Sequence, residues 1–346
     1  MRALLFIFFA VVCAYADADN DWAAIVAMDS GPSQKPASLE DARKLARAHF
    51  ARHAALIERF IQENPHDPRA FDARLRIAAI RAATGKMEDK QSFVDEAMRL
   101  LQALEKDKSA TLSQRAEAGF RRVSLLMQSL KGQEIERRRD LVAAARNYSI
   151  LYAGDRRVPR LLVEVATICD SDPALKRQLL EEARQFSKEE LLNRRIDDDL
   201  RRTALLDKTV PIKFPSIQGG TFDLDQCRGR IVILVFWSSE SAPSLLWMGD
   251  FRRALFNLPA DRMEVATVCL DGNPGQVSGV MKAAGIPDWP TACDGRGWVG
   301  PLVRRLGINA LPTIFLFDQR GALRSINAKN NFEPWIRKLL AQPNEP

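Results

Sequence analysis

The stretch Ile231-Val232-Ile233-Leu234-Val235-Phe236-Trp237 constrains this chain more than any other. β-Branched and aromatic residues in an unbroken apolar run favour an extended strand. The next residues, Ser238-Ser239-Glu240-Ser241-Ala242-Pro243-Ser244, change character at once. Ser241 is a good helix N-cap, and Pro243 falls in the first helical turn. A strand therefore passes through a short polar turn directly into a helix.

Glycine usage divides the chain. Residues 1–210 hold five of the 18 glycines and residues 211–346 hold thirteen. Helix interiors disfavour glycine, while turns between strands need it. The glycine-poor part also reads at helical period. Among Leu39, Ala42, Leu45, Ala46, Phe50, Leu56, Ile57, Phe60 and Ile61, most apolar positions fall three or four apart. Ser38 with Asp41 has the form of a capping box, and Pro65 and Pro68 break that helix. Further helices are predicted at 69–84, stopping at Gly85, and near 88–106, 112–131, 134–152, 157–169 and 173–205, the last interrupted near Ser187. Helix starts recur roughly every 20–25 residues, a spacing that fits antiparallel helix pairs. The turn from Glu63 to Ala70 resembles the joint between tetratricopeptide-type repeats, and an irregular helical bundle fits the pattern equally well. The expected layout is an all-α helical-hairpin domain at 19–206, a linker at 207–213 and an α/β domain at 214–346. No catalytic residue is visible in the helical part, which reads as a scaffold or docking surface.

The first residues have the form of an export signal. Arg2 precedes an apolar run from Leu4 to Ala14 that is too short to span a bilayer. Ala14-Tyr15-Ala16 and Ala16-Asp17-Ala18 both fit a small-x-small cleavage pattern, so a signal peptide is expected at 1–18. Acylation of Cys13 is the alternative, opposed by the bulky Val12. No later segment has 18 consecutive apolar residues, and no membrane span is expected. The net charge of +7 comes from arginine spread along amphipathic helices, so no nucleic-acid partner is expected. Cys169, Cys227, Cys269 and Cys293 remain after cleavage. An exported protein meets an oxidising compartment, yet none of the four lies in a C-x-x-C pair. His49 and His53 share a helix face without a nearby third ligand, and His66 lies beyond Pro65. No metal site and no cofactor are expected.

Beyond Phe214, strands alternate with helices. Strands are predicted at 231–236 and 264–270, a short extended segment at 290–294, and a hairpin at 312–318 and 322–326. Helices fall near 243–258, 275–284, 299–306 and 332–341. This order predicts a three-layer α/β sandwich.

Several motifs in that order resemble the thioredoxin-like superfamily, specifically the TlpA- and ResA-type redoxin (AhpC/TSA-like) domains of bacterial envelope proteins, over roughly 214–341. Leu224-Asp225-Gln226-Cys227-Arg228-Gly229-Arg230 resembles the turn before the first core strand, with Cys227 where an apolar residue is usual. Phe236-Trp237 matches the aromatic pair before the active site. Gly307-Ile308-Asn309-Ala310-Leu311-Pro312-Thr313 matches the family pattern G-[VI]-x-x-x-P-T, in which Pro312 would be the cis-proline. The resemblance implies thiol–disulfide oxidoreductase ancestry and a bacterial periplasm or cell-envelope location. It also places cysteines where this chain has Ser241 and Ser244.

That departure decides the functional expectation. Redoxin chemistry needs a thiolate at a helix N-terminus and a second sulfur to resolve the mixed disulfide. A serine hydroxyl ionises far too weakly to replace either. Trp237, Ser241, Ala242, Pro243 and Ser244 therefore form a vestigial motif, and Glu240 puts a carboxylate where the family commonly has tryptophan. Serine nucleophile chemistry needs a base, and residues 211–346 contain no histidine. The family's substrate groove could persist: main chain at Leu311, Pro312 and Thr313 would pair with an extended peptide. A redox-inactive peptide- or protein-binding module is thus the leading expectation. The competing one is an oxidoreductase using Cys269 and Cys293, which sit at the ends of neighbouring extended segments. Two separate buried thiols are the simpler reading of that pair.

Overall fold

In a computed structural model of the chain, residues 18–130, 135–170, 172–329 and 332–341 are described. The expected leader, Cys13 included, lies outside them apart from Ala18. The chain divides into two compact units at Asp155/Arg156. No helix among the described residues is long and apolar enough to cross a membrane.

The first unit is all helical: α1 (18–27), α2 (Leu39–Glu63), α3 (Ala70–Glu88), α4 (Gln91–Lys106), α5 (Leu112–Ser129) and α6 (Ile135–Leu151). Ser38 caps α2 by accepting from the Asp41 amide at 3.1 Å. The Asp41 carboxylate takes the Ala37 amide at 2.9 Å rather than returning to Ser38. Helix α3 is buried on two sides. Ala73, Ile77 and Ile80 pack with Ile25, Ile57 and Phe60, while Phe71, Leu75 and Ala78 pack with Leu101, Leu104 and Ala118. Each large aliphatic side chain removed from water this way contributes about 1.5–3 kcal/mol.

The expected stop at Gly85 is corrected, because α3 runs on to Glu88 and ends at Asp89 in a left-handed conformation (φ 52°). Gly85 serves packing instead. A Cβ there would lie 2.8 Å from Val94 Cγ2 and 3.0 Å from the Lys90 carbonyl oxygen. Glycine lets α4 approach the end of α3, and that gain outweighs its helix penalty of about 1 kcal/mol.

The second unit begins with α7 (Val158–Ile168), α8 (Pro173–Phe186) and α9 (Glu190–Thr203). A hairpin of β1 (Lys213–Pro215) and β2 (Thr221–Asp223) follows. Then come β3 (Ile231–Trp237), α10 (Ala242–Leu255), β4 (Met263–Cys269), α11 (Pro274–Ala283), β5 (Thr291–Ala292), α12 (Pro301–Arg305), β6 (Thr313–Phe317), β7 (Leu323–Ser325) and α13 (Phe332–Leu340). The five-stranded sheet has the order β5-β4-β3-β6-β7. Strands β3, β4 and β5 are parallel, β6 is antiparallel to β3, and β7 is antiparallel to β6.

Every residue of β3 is buried, and its side chains alternate between two cores. Ile231, Ile233, Val235 and Trp237 pack with α10, α11 and α13 through Met248, Phe251, Val277, Met281, Ile336 and Leu339. Val232, Leu234 and Phe236 pack on the other face with Phe214, Phe222, Val303 and Leu306. This is the three-layer thioredoxin-like sandwich, preceded by a many-helix N-terminal region.

Residues of the expected linker are bonded to the sheet. The Asp207 amide donates to the Leu323 carbonyl at 2.8 Å, the Leu323 amide donates to the Lys208 carbonyl at 2.9 Å, and Arg324 pairs with Asp207 at 2.6 Å. The division at Asp155/Arg156 places α7–α9 with the sheet.

A buried histidine stands out in the first unit. His53 of α2 is 5% exposed, and its Nε2 stands 3.8 Å from Asp29 without a hydrogen-bond partner. Burial lowers its pKa below the ordinary 6.5 and outweighs the Asp29 carboxylate, while His49 and Arg76 oppose protonation further. A depressed folded-state value means that the neutral ring stabilises this unit above the unfolded pKa, and that the contribution is lost as pH falls. The urea midpoint of the helical signal should drop between about pH 7 and about pH 5. His53→Asn should flatten that slope; an unchanged slope would show that the ring is not the titrating group.

Candidate functional site

The ends of three strands meet at one edge of the sheet. Register places Trp237 opposite Cys269 and Phe236 opposite Thr313. The C-terminal ends of β3 and β4 therefore adjoin the start of β6, the edge at which open α/β sheets place their ligands.

Asp271, two residues beyond β4, organises this edge. Its Oδ1 accepts from Ser238 Oγ at 2.7 Å and from the Ser239 amide at 2.9 Å, and its Oδ2 accepts from Ser239 Oγ at 2.5 Å. Burial alone would raise this carboxyl. The Ser239 and Ser238 hydroxyls, the Ser239 amide and the Cys269 thiol outweigh burial and hold it below the usual value. Ser238 Oγ in turn accepts from the Glu240 amide at 3.1 Å, and the Ser241 amide donates to the Ser238 carbonyl at 3.2 Å. The polar turn is thus tied at each residue before the helix begins.

Ser241 is the N-cap of α10, its Oγ accepting from the Ser244 amide at 3.3 Å, with Pro243 in the first turn. Ser244 is fully buried, and its hydroxyl has no hydrogen-bond partner. Ala242, Pro243 and Glu240 are exposed. Trp237 belongs to the core rather than to the rim: it is fully buried, and its Nε1 donates to Thr267 Oγ1 at 3.2 Å.

The Leu311–Pro312 peptide bond is cis. Pro312 is buried, Leu311 is half-buried, and Thr313 Oγ1 donates to the Ala310 carbonyl at 2.7 Å. Helix α9 braces the segment just before them. Asn309 Nδ2 donates to the Asp199 carboxylate at 2.9 Å, and Asp199 also pairs with Arg202. Gly307 has φ +68°, and a Cβ there would strike the Asp198 carbonyl.

The structure brings Cys269 and Cys293 together at this edge. Cys293 Sγ donates to the Asp271 carbonyl at 3.4 Å. Burial pushes the Cys269 thiol far above its ordinary range and raises Cys293 as well. Cys227 is buried in the opposite core and Cys169 is buried at the end of α7. Among the described residues no group of three histidine, cysteine, aspartate or glutamate side chains is placed to hold a metal ion. The strand predicted at 264–270 stops just short of Asp271, a residue with no role assigned from sequence. The missed signal is an acidic residue at the exit of a parallel strand whose neighbour ends in a serine-rich turn. The bracing by α9 had no local signal at all.

Residues 205–326 match the family model described as the AhpC/TSA family. Among solved structures, a thiol-disulfide oxidoreductase from Bacteroides fragilis NCTC 9343 is 17% identical, with a TM-score of 0.33, covering 37% of this chain and 96% of its own. A thioredoxin-family thiol:disulfide interchange protein from Chlorobium tepidum TLS is 18% identical, with a TM-score of 0.33, covering 38% and 94%. No curated protein matches the chain.

Gly307 gives a direct test of the brace. Gly307→Ala combines a left-handed backbone with a collision against α9, and should cost roughly 1–3 kcal/mol. Five of the six tryptophans lie beyond residue 155, so intrinsic fluorescence reports the second unit. Its denaturation midpoint should fall; an unchanged midpoint would remove Gly307 from the bracing contact.

Proposed function

We propose that the AhpC/TSA-type segment of this chain is a thioredoxin-fold binding module that engages an extended peptide or protein segment without dithiol turnover. The observation that carries this reading is the entrance to α10. The Ser241 hydroxyl caps the chain's own helix and Ser244 is buried, so two hydroxyls stand where a redoxin would need two sulfurs. A helix N-terminus stabilises an anion, but a serine hydroxyl does not supply one near neutral pH. No histidine lies in residues 211–346 to act as its base.

Binding needs less. An extended segment can add to main chain at Leu311, Pro312 and Thr313, beside the end of β3, as strand addition. Exposed Ala242 and Pro243 would flank it, with the Glu240 carboxylate near the rim. The same reading includes a leader at 1–18, export to the bacterial periplasm or cell envelope, and a partner-docking role for the helical region.

A second reading is favoured by the adjacency of Cys269 and Cys293, which would make the protein an oxidoreductase on non-motif thiols. Their raised pKa values count against rapid turnover, since the thiolate is the nucleophile.

Insulin reduction with dithiothreitol separates the two. The unaltered protein should show no turnover above background, and Ser241→Cys with Ser244→Cys in one chain should gain it. Turnover by the unaltered protein that is lost in Cys269→Ser would overturn the binding reading. For binding itself, the probe is carboxymethylated insulin B chain followed by fluorescence anisotropy. Leu311→Pro removes a main-chain donor and should weaken capture at least about fivefold. No capture by the unaltered protein would leave the segment without the proposed activity.

A further inference from the structure

Strands β4 and β5 run parallel, with Thr267 opposite Thr291 and Val268 opposite Ala292. One further step along both chains sets Cys269 beside Cys293. Neighbouring strands lie about 4.8 Å apart, inside the window of about 4.4–6.8 Å between Cα atoms that a disulfide requires. Both side chains join the same core. Both also adjoin Asp271: the Cys293 thiol donates to its main-chain oxygen at 3.4 Å, and Cys269 lies two residues before it along the chain. Asp271 is the residue that holds Ser238 and Ser239. The thiol pair is therefore wired to the turn that enters α10.

We propose that Cys269 and Cys293 form a redox-modification site, closing to a disulfide that loosens the grip of Asp271 on the 238–239 turn. This inference is independent of the peptide-binding reading and differs from turnover, because the thiol pair is itself the thing modified.

The oxidant is a small-molecule disulfide such as oxidised glutathione. Cys293 is the half-exposed sulfur, whereas Cys269 is 3% exposed. Cys293 loses its proton to solvent and attacks one sulfur of the oxidant. The oxidant's S–S bond breaks, and its other half leaves as a thiolate that takes up a proton. Cys269, deprotonated in turn, attacks the Cys293 sulfur and expels the second half. Two S–H bonds are lost and one S–S bond forms, while the oxidant gains two electrons and two protons. The burial of Cys269 makes the closing step slow, which suits a stoichiometric modification.

The product carries no S–H donor. The Asp271 carbonyl then loses the Cys293 bond. Drawing the sulfurs together also shifts the chain on which Asp271 sits.

The test uses the full chain under native conditions. Protein is exposed to oxidised glutathione, quenched with acid and alkylating agent, and digested with trypsin without reduction. The expected product is peptide 263–282 joined to peptide 283–296, lighter by two hydrogens than their sum and absent from Cys293→Ser. Recovery of the two peptides separately, alkylated or carrying single glutathione adducts, would overturn the pairing. Amide hydrogen exchange of the oxidised and reduced protein reads the coupling. Exchange at Ser239 should be about fivefold faster in the oxidised form, the effect of weakening one hydrogen bond worth about 1 kcal/mol. A joined peptide with unchanged exchange at Ser239 would overturn the link through Asp271.

Discussion

The second unit depends on the burial of β3 from both sides. Its seven residues divide between two cores, so neither helical layer can be removed without exposing it. Parallel pairing with β4 and antiparallel pairing with β6 leave it no free edge. Because this strand is fixed, the turn that follows it emerges at a defined place and in a defined direction. Everything at the candidate site is referred to that exit.

The site is densely hydrogen-bonded. Three donors converge on Asp271, and the serine-rich turn is bonded from Ser238 to Ser244. Such order is what positions a reactive group in a catalyst. Here the group at the helix entrance is a hydroxyl engaged in capping. The nearest sulfurs lie one strand away and are held protonated by burial. The recognition role proposed for this edge would draw on such order, because a rigid surface lowers the entropy lost on association.

The sandwich was legible in the sequence because its signals are local and periodic. The unbroken apolar run Ile231–Trp237, the cap at Ser241 and the pattern ending at Pro312-Thr313 each sit within a few residues. The misreading at Gly85 shows the limit of that logic. A glycine near the end of a helical pattern reads as a terminator, whereas the role of Gly85 comes from Val94 on the next helix. Asp271 went unweighted for a similar reason: its partners Ser238 and Ser239 are about thirty residues earlier, and no spacing rule links a strand exit to a neighbouring turn. The adjacency of Cys269 and Cys293 was open from the sequence, and the β4–β5 register gave it a geometry.

The brace between α9 and the loop before Pro312 bears on how the chain reaches this structure. The Asn309–Asp199 bond spans 110 residues, so α9 is synthesised long before the loop that it contacts. During that interval the contact face of α9 stands in water, and it is suited to do so. Asp199 is already paired with Arg202 on the same helix, so the polar part of the waiting surface is internally neutralised. Loop-closure entropy grows only slowly with length, so joining the two ends late adds little cost. A helix that keeps its own charges paired can wait for its partner without aggregating.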